Sequence, residues 1–151
     1  MSDDPASIHG SCVVVGETGV LIRGPSGAGK SELAFALILA GRSGVIPPVR
    51  LVADDRVIVT VRDGRLLAAV PDAIAGLIEV RGIGIRRLPF ASEAVIGLVI
   101  DLAAPDGARL PQPEALRTVL DGVIVPRLPI APGADPLLPV IALLTTQDAS
   151  P

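Results

Sequence analysis

Residues 24–32 run Gly24-Pro25-Ser26-Gly27-Ala28-Gly29-Lys30-Ser31-Glu32, and the fold turns on how this stretch is read. Residues 24–31 match G-x-x-x-x-G-K-[ST] at every fixed position. Glycines let successive backbone N–H groups converge on phosphate oxygens, and a helix N-terminus adds partial positive charge. Lys30 then reaches the outer phosphates and the Ser31 hydroxyl suits a magnesium ion. The competing reading is a glycine-rich turn capped by a serine. Context separates the two: residues 19–23 predict a strand, and residues 30–40 hold good helix formers with no Gly or Pro before Gly41, the expected C-cap. Strand, loop, helix is the setting that phosphate binding requires.

The pattern extends outward from the loop. Residues 11–15 and 19–23 are short β-branched runs around Gly16-Glu17-Thr18, predicting a hairpin that leads into the loop. Beyond the breaker at 44–48, residues 50–53 form an apolar strand ending in Asp54 and Asp55. Residues 57–62 and 65–70 flank Asp63-Gly64, a dipeptide suited to a type I′ turn. A short helix or turn is expected at 71–77, a β-branched run broken by two glycines at 78–85, and a strand at 95–102. A helix opened by Pro113 is expected over 114–120, a strand or edge segment limited by Pro126 over 123–128, and a last helix over 135–146. The class is α/β: one P-loop-containing domain over 1–151, with mixed, hairpin-rich sheets, three to four helices, and flexible ends at 1–7 and 147–151.

Bulk properties narrow the function. A chain of 151 residues fits one domain that buries roughly 70% of its unfolded surface. Half the residues are hydrophobic and the mean hydropathy is +0.61. The apolar runs nevertheless fall short of the ~18 residues that span a bilayer, so no membrane partner is expected. The start, MSDDPASIHG, carries acids where a secretory leader carries bases, which predicts a cytoplasmic protein. A net charge of −3, with two Phe and no Trp or Tyr, argues against nucleic acid. Cys12 sits among Val13, Val14 and Val15 and reads as buried strand packing without chemistry. Lys30 is the one lysine in a chain that otherwise uses arginine, which points to a need for a compact ammonium at that position.

A loop alone names no reaction. In nucleotide-binding proteins with this motif, a second strand often ends in a carboxylate that helps hold the metal, and Asp54-Asp55 fits that description. One acid would face the metal and the other an incoming hydroxyl. The same pair also suits a strand end running into a turn, and the residues alone leave both readings open.

Three further stretches accompany the loop in order: His9-Gly10, then Asp54-Asp55-Arg56-Val57, then residues 78–85 with Ile78-Glu79-Val80-Arg81-Gly82-Ile83-Gly84-Ile85. Together with GPSGAGKSE they resemble the catalytic domain of HPr kinase/phosphorylase, over roughly residues 8–146. The resemblance implies a phosphoenolpyruvate carboxykinase-like nucleotide-binding core. It also implies an enzyme that uses ATP and Mg²⁺ to phosphorylate a serine of HPr, the small phosphocarrier protein of the phosphotransferase system, and that can reverse the step by phosphorolysis, releasing pyrophosphate. By position, Gly24, Pro25, Ser26, Gly27, Ala28, Gly29, Lys30 and Ser31 would bind the nucleotide phosphates. Ser31 and Glu79 would sit at the metal, with Asp54 supporting the metal or its water. Asp55 would take the serine proton, His9 would orient the carboxylates, and Glu32 and Arg81 would lie nearby. A surface or capping role for His9 remains open on the residues alone. Family members assemble as hexamers through this domain, so a homo-oligomer is implied.

The chain also departs from the family. It looks like a catalytic-domain-only form without the family's N-terminal domain. The family's arginine after the E-[IV]-RG-x-G stretch is absent in register; Arg86 or Arg87 either substitutes for it or forms an ordinary solvated pair. Ala131 stands where the family's V-x-RPG stretch has arginine, which favours the kinase direction over phosphorolysis. Two rivals remain: a small-molecule P-loop kinase, although no Arg-rich lid is visible, and a nucleotide-binding regulator that has lost turnover.

Overall fold

The computed structural model describes residues 7–149. The expected loose ends at 1–7 and 147–151 fall mostly outside that range; Ser7 belongs to a strand, and residues 147–149 have no regular structure. Two α-helices are present among the described residues, α1 (Lys30–Arg42) and α2 (Leu137–Thr145), with short 3-10 turns at Asp72–Ile74 and Pro113–Leu116.

Eleven strands are described: β1 (Ser7–His9), β2 (Ser11–Val15), β3 (Thr18–Arg23), β4 (Val49–Ala53), β5 (Arg56–Arg62), β6 (Arg65–Ala69), β7 (Leu77–Val80), β8 (Gly84–Arg87), β9 (Glu93–Asp101), β10 (Arg117–Leu120) and β11 (Val123–Pro129). Nine of them make one mixed sheet in the order β1-β5-β6-β9-β3-β2-β4, while β11 joins β9 and β10 joins β11. The β7–β8 pair stands apart as a two-stranded hairpin. Strand β9 is long enough to serve two neighbours along one edge: residues 93–95 pair antiparallel with β6, and residues 99–101 pair parallel with β11. Its other edge runs parallel to β3.

Strand β2 is buried along its whole length because its side chains alternate between two cores. Val13 and Val15 pack with Leu33, Leu37 and Ile38 of α1. Cys12 and Val14 pack with Val57, Val59, Leu66 and Ala68 of β5 and β6. Helix α1 is held against the first core by burial of one face, including Leu33, Ala34, Leu37 and Ile38.

The helix at 114–120 is not formed. Only Pro113–Leu116 winds into a 3-10 turn, after which residues 117–120 pair antiparallel with β11. The cause is the two-residue connection Asp121-Gly122, whose φ angles of 46° and 80° build the same primed turn as Asp63-Gly64 at 53° and 76°. Residues 123–129 form a strand as expected, which pairs with β10 through residues 123–126 and with β9 through residues 127–129. Gly41 does not cap α1 but lies inside it, with Ser43 as the cap. A Cβ at Gly41 would stand 2.8 Å from the Val49 nitrogen, so glycine there permits the helix to approach β4.

Candidate active site

The C-terminal end of β3, the N-terminus of α1 and the end of β4 meet at one edge of the sheet. Gly27 and Gly29 take φ angles of 81° and 96°, which turn the chain from β3 into the helix; space for a Cβ is open at Gly27. The loop thus exposes backbone rather than side chains. Lys30 is buried, and its Nζ donates to the carbonyls of Gly24 at 2.9 Å and Pro25 at 3.0 Å, drawing the loop around the ammonium. No carboxylate pairs with Lys30 among the described residues, so its charge faces the loop uncancelled.

Asp54 lies beneath this loop, almost fully buried. Its Oδ1 accepts from Ser11 Oγ at 2.7 Å and Ser31 Oγ at 2.6 Å, and its Oδ2 accepts from the Glu79 backbone N–H at 3.2 Å. Three donors satisfy a carboxylate whose burial would otherwise be costly. They also tie β2, α1 and β7 to the end of β4. Because Ser31 donates its proton downward to Asp54, its oxygen lone pairs are left for a cation on the cleft side.

Asp55 points the other way. The Arg56 N–H bonds the Asp54 carbonyl at 2.9 Å, making a three-residue turn with Asp55 at its centre and φ at 72°. Such a conformation is strained for a residue with a Cβ, and strain of this kind gathers at functional sites. The Gly10 N–H holds the Asp55 carbonyl at 3.1 Å. The Asp55 carboxylate therefore projects into solvent, 67% exposed, where His9 Nε2 meets its Oδ1 at 3.0 Å. His9 is carried there by β1, whose pairing sets it opposite Arg56.

These elements enclose a cleft of about 280 Å³ lined by His9, Ser11, Ser26, Gly27, Gly29, Lys30, Ser31, Glu32, Asp55, Glu79 and Arg81. Arg81, in the turn after β7, reaches toward Glu32 of α1 at 3.7 Å. The lining thus combines the acids Glu32, Asp55 and Glu79 with a backbone loop drawn around an ammonium.

Residues 3–136 match the family model of the HPr serine kinase C-terminal domain. The chain belongs to this family. Among relatives of the HPr-kinase-family domain, the HPr kinase/phosphorylase of Geobacillus thermodenitrificans is 40% identical over 141 residues, covering 84% of this chain and 43% of the relative. That of Clostridium tetani is 38% identical over 138 residues, covering 83% and 43%. The chain thus spans less than half the length of these curated relatives. The solved structure of the Hpr(Ser) kinase/phosphatase from Coxiella burnetii is similar at a TM-score of 0.74 and 27% identity, covering 91% of this chain and 93% of that one.

Most residues singled out in the sequence of this HPr-kinase-family domain meet in or directly under the cleft. Arg86 and Arg87 do not: they lie on β8, opposite Ile78 and Leu77, exposed and outside the cleft lining. Sequence reasoning missed Ser11, which looks like any small strand residue until the fold buries it against Asp54. It also missed a charged cluster behind the loop. Asp101, at the end of β9, receives Arg23 Nε at 2.7 Å and Nη2 at 2.8 Å, and Arg127 Nε as well. Arg127 Nη1 donates to Asp106 at 2.8 Å. Burial pushes the Asp101 carboxyl up, but the hydrogen bonds and charges of Arg23 and Arg127 outweigh it and hold the group below the ordinary range. The nearest sequence signal was a charge ending the apolar strand immediately before Gly24. Cys12 is fully buried, and burial raises its thiol to about 12, in keeping with packing alone.

Proposed function

We propose that this domain transfers the γ-phosphoryl group of ATP to a serine hydroxyl of HPr, with residues 24–31 as the nucleotide-binding P-loop of a phosphoenolpyruvate carboxykinase-like core. The observation that carries the reading is that a backbone cradle around Lys30 lines the same cleft as Asp55 and Glu79. Membership of the HPr serine kinase family supports the choice of acceptor.

In this reading the N–H groups of the loop and Lys30 hold the phosphate chain and neutralise its charge, which is the protein's main contribution to such a reaction. The residues present also suit magnesium. No group of three or more His, Cys, Asp or Glu able to hold a metal occurs among the described residues. Magnesium does not need one, because it takes one or two protein oxygens and fills its octahedron with phosphate oxygens and water. Ser31 Oγ and Glu79 would supply the protein oxygens, and Asp54 orients Ser31 from below. When bound, the ion would neutralise charge on the phosphate oxygens. Asp55 accepts the proton of the serine hydroxyl as its oxygen bonds to the γ-phosphorus; the bond from that phosphorus to the bridging oxygen breaks, and ADP leaves with the electron pair. His9 holds the Asp55 carboxylate toward the cleft mouth, and Arg81, tied to Glu32, lines the side by which a protein acceptor enters.

The domain would act as a cytoplasmic homo-oligomer. No described helix is long and apolar enough to cross a membrane. The test is incubation of the protein with HPr, Mg²⁺ and ATP labelled at the γ-phosphate. Label on an HPr serine is the expected result. ATP binding without transfer to HPr would favour a nucleotide-sensing regulator, and transfer to small alcohols but not HPr would favour a small-molecule kinase.

A further inference from the structure

We infer that Asp101 is a positioning residue for phosphoryl transfer: through Arg23 and Arg127 it sets where the glycine loop, and with it Lys30, stands relative to Asp55. The inference rests on the proposal that the cleft transfers a phosphoryl group. Asp101 is not among the residues that line that cleft. It acts instead on the residue that immediately precedes the loop.

The contacts form an unbroken path from β9 to the ammonium. Sheet register sets Asp101 opposite Arg23 of β3 on one edge and Pro129 of β11 on the other. Its carboxylate accepts a two-pronged bond from Arg23, at 2.7 and 2.8 Å, and a third bond from Arg127 Nε. The other nitrogens of Arg127 bond Asp106, at 2.8 and 3.0 Å, and the Ala115 carbonyl, at 2.9 Å. The backbone repeats the tie, because the Leu102 N–H bonds the Arg23 carbonyl and the Ile130 N–H bonds the Asp101 carbonyl, both at 2.8 Å. Gly24 and Pro25, the two residues after Arg23, present the carbonyls that receive Lys30 Nζ at 2.9 and 3.0 Å. The start of the loop also rests on the residue after Asp101: a Cβ at Gly24 would stand 3.1 Å from the Leu102 Cβ.

Stability alone does not call for such a cluster, since well-packed apolar residues often serve as well in place of a buried ion pair. The ionic arrangement adds direction. Apolar packing fixes how close two strands lie, whereas a guanidinium fork on a carboxylate also fixes how they are oriented. The side chains of Asp101, Arg23 and Arg127 are 15%, 25% and 13% exposed, so water screens them little and their charges resist separation. Arg23 and Arg127 are matched by Asp101 and Asp106, so the cluster acts through geometry and not through a field of its own. A displaced loop would carry its N–H groups and Lys30 along as a body, still able to hold phosphates but at the wrong distance from Asp55. Misplacement of that kind lowers the rate of the chemical step more than it weakens binding.

Lys30 is the one lysine of the chain, so protein grown on lysine carrying ¹³C at Cε gives a single lysine signal that reports on the surroundings of the ammonium. Asp101→Asn removes the shared charge, and Arg23→Lys keeps the charge but removes the fork. Each should shift that signal and slow single-turnover transfer from saturating ATP to HPr by about tenfold or more, with calorimetric ATP affinity within about threefold of native. The double variant should be no slower than the slower single one, as holds for groups that act as a unit. All rates are taken at a temperature where circular dichroism shows the variants folded, and Arg23→Lys decides alone should Asp101→Asn not fold. An unmoved lysine signal, or rates within about threefold of native, would reduce the cluster to a stabilising role and overturn the inference, whatever the melting temperatures do. It would equally be overturned by an ATP affinity that falls as far as the rate, or by a double variant whose loss is the product of the single losses. A native protein that binds ATP but transfers no label to HPr sinks the proposed function and this inference with it; native transfer with unaffected variants sinks this inference alone.

Discussion

Replacing Asp55 by asparagine separates chemistry from architecture unusually cleanly. Asparagine has nearly the same shape and is among the few side chains that tolerate the φ of 72° found at this position. The interaction lost is the contact with His9 at 3.0 Å, between side chains 62% and 67% exposed, and exposed ion pairs are worth about 0 to 1 kcal/mol. The melting temperature should therefore move by no more than about 4 °C for a domain of this size. The Gly10 and Arg56 backbone bonds that define the turn do not involve the Asp55 carboxylate and should persist. If Asp55 is the proposed proton acceptor, its loss removes general-base assistance worth about 10² to 10⁴ in rate, or about 3 to 5 kcal/mol of barrier. The assay is single-turnover transfer of label from ATP to HPr, paired with calorimetric ATP binding, which should be unchanged. A variant that transfers within about fivefold of the native rate would refute the assignment of Asp55 as base, since that difference is roughly 1 kcal/mol. Asp55→Gly and Asp55→Ala complete the set: both remove the carboxylate, but alanine should be the less stable by about 1 kcal/mol because only it carries a Cβ into the left-handed region.

Three further outcomes follow from the packing. Asp101→Asn leaves two arginines sharing a part-buried site without its carboxylate and should cost about 2 kcal/mol at neutral pH, less than a fully buried pair would. Because the native carboxyl is held below its ordinary value near 3.9, its contribution is complete above that pH and is lost as pH falls through the lower folded value, so thermal melts of native and variant should converge on acidification; a gap that widens as the pH falls below about 3.9 would refute the cause. Cys12 should resist a thiol reagent in the folded protein and react only on denaturation, and rapid native labelling would contradict its burial. Gly41→Ala should destabilise by about 1 to 3 kcal/mol in urea melts despite alanine's higher helix propensity, because the added Cβ meets Val49 backbone at 2.8 Å; a gain in stability would mean that α1 can move away from β4.

What the sequence disclosed depended on whether the deciding interactions were local. The hairpins around residues 16–18 and 63–64 and the strand–loop–helix unit at 19–42 are written in neighbouring residues, through turn chemistry and periodicity, and they form as expected. The misreading at 114–120 shows the limit of propensity: Glu114, Ala115 and Leu116 favour a helix, yet Asp121-Gly122 carried the same hairpin signal as Asp63-Gly64 and prevailed because β11 had β9 to pair with. Gly41 was misplaced for a related reason, since a C-cap and a close helix–strand approach both call for glycine, and only the position of Val49 distinguishes them.

The site divides along the same line. Lys30 and Ser31 belong to a local motif, and Asp54, Asp55 and Glu79 were found through ordered stretches that each keep a recognisable spacing. Ser11 and the pairing of Arg23 with Asp101 and Arg127 had no such spacing, because their partners lie 43, 78 and 26 residues away and are brought together by sheet register. The chain positions proposed to face phosphate chemistry are thus written in compact motifs. Those that hold the motifs at the right distance from one another are ordinary strand residues, given their role by the pairing of β3 with β9 and of β9 with β11. A change in that register would separate Asp101 from its arginines and would move the end of β3, and so the loop, relative to Asp54, with no residue of the motif altered.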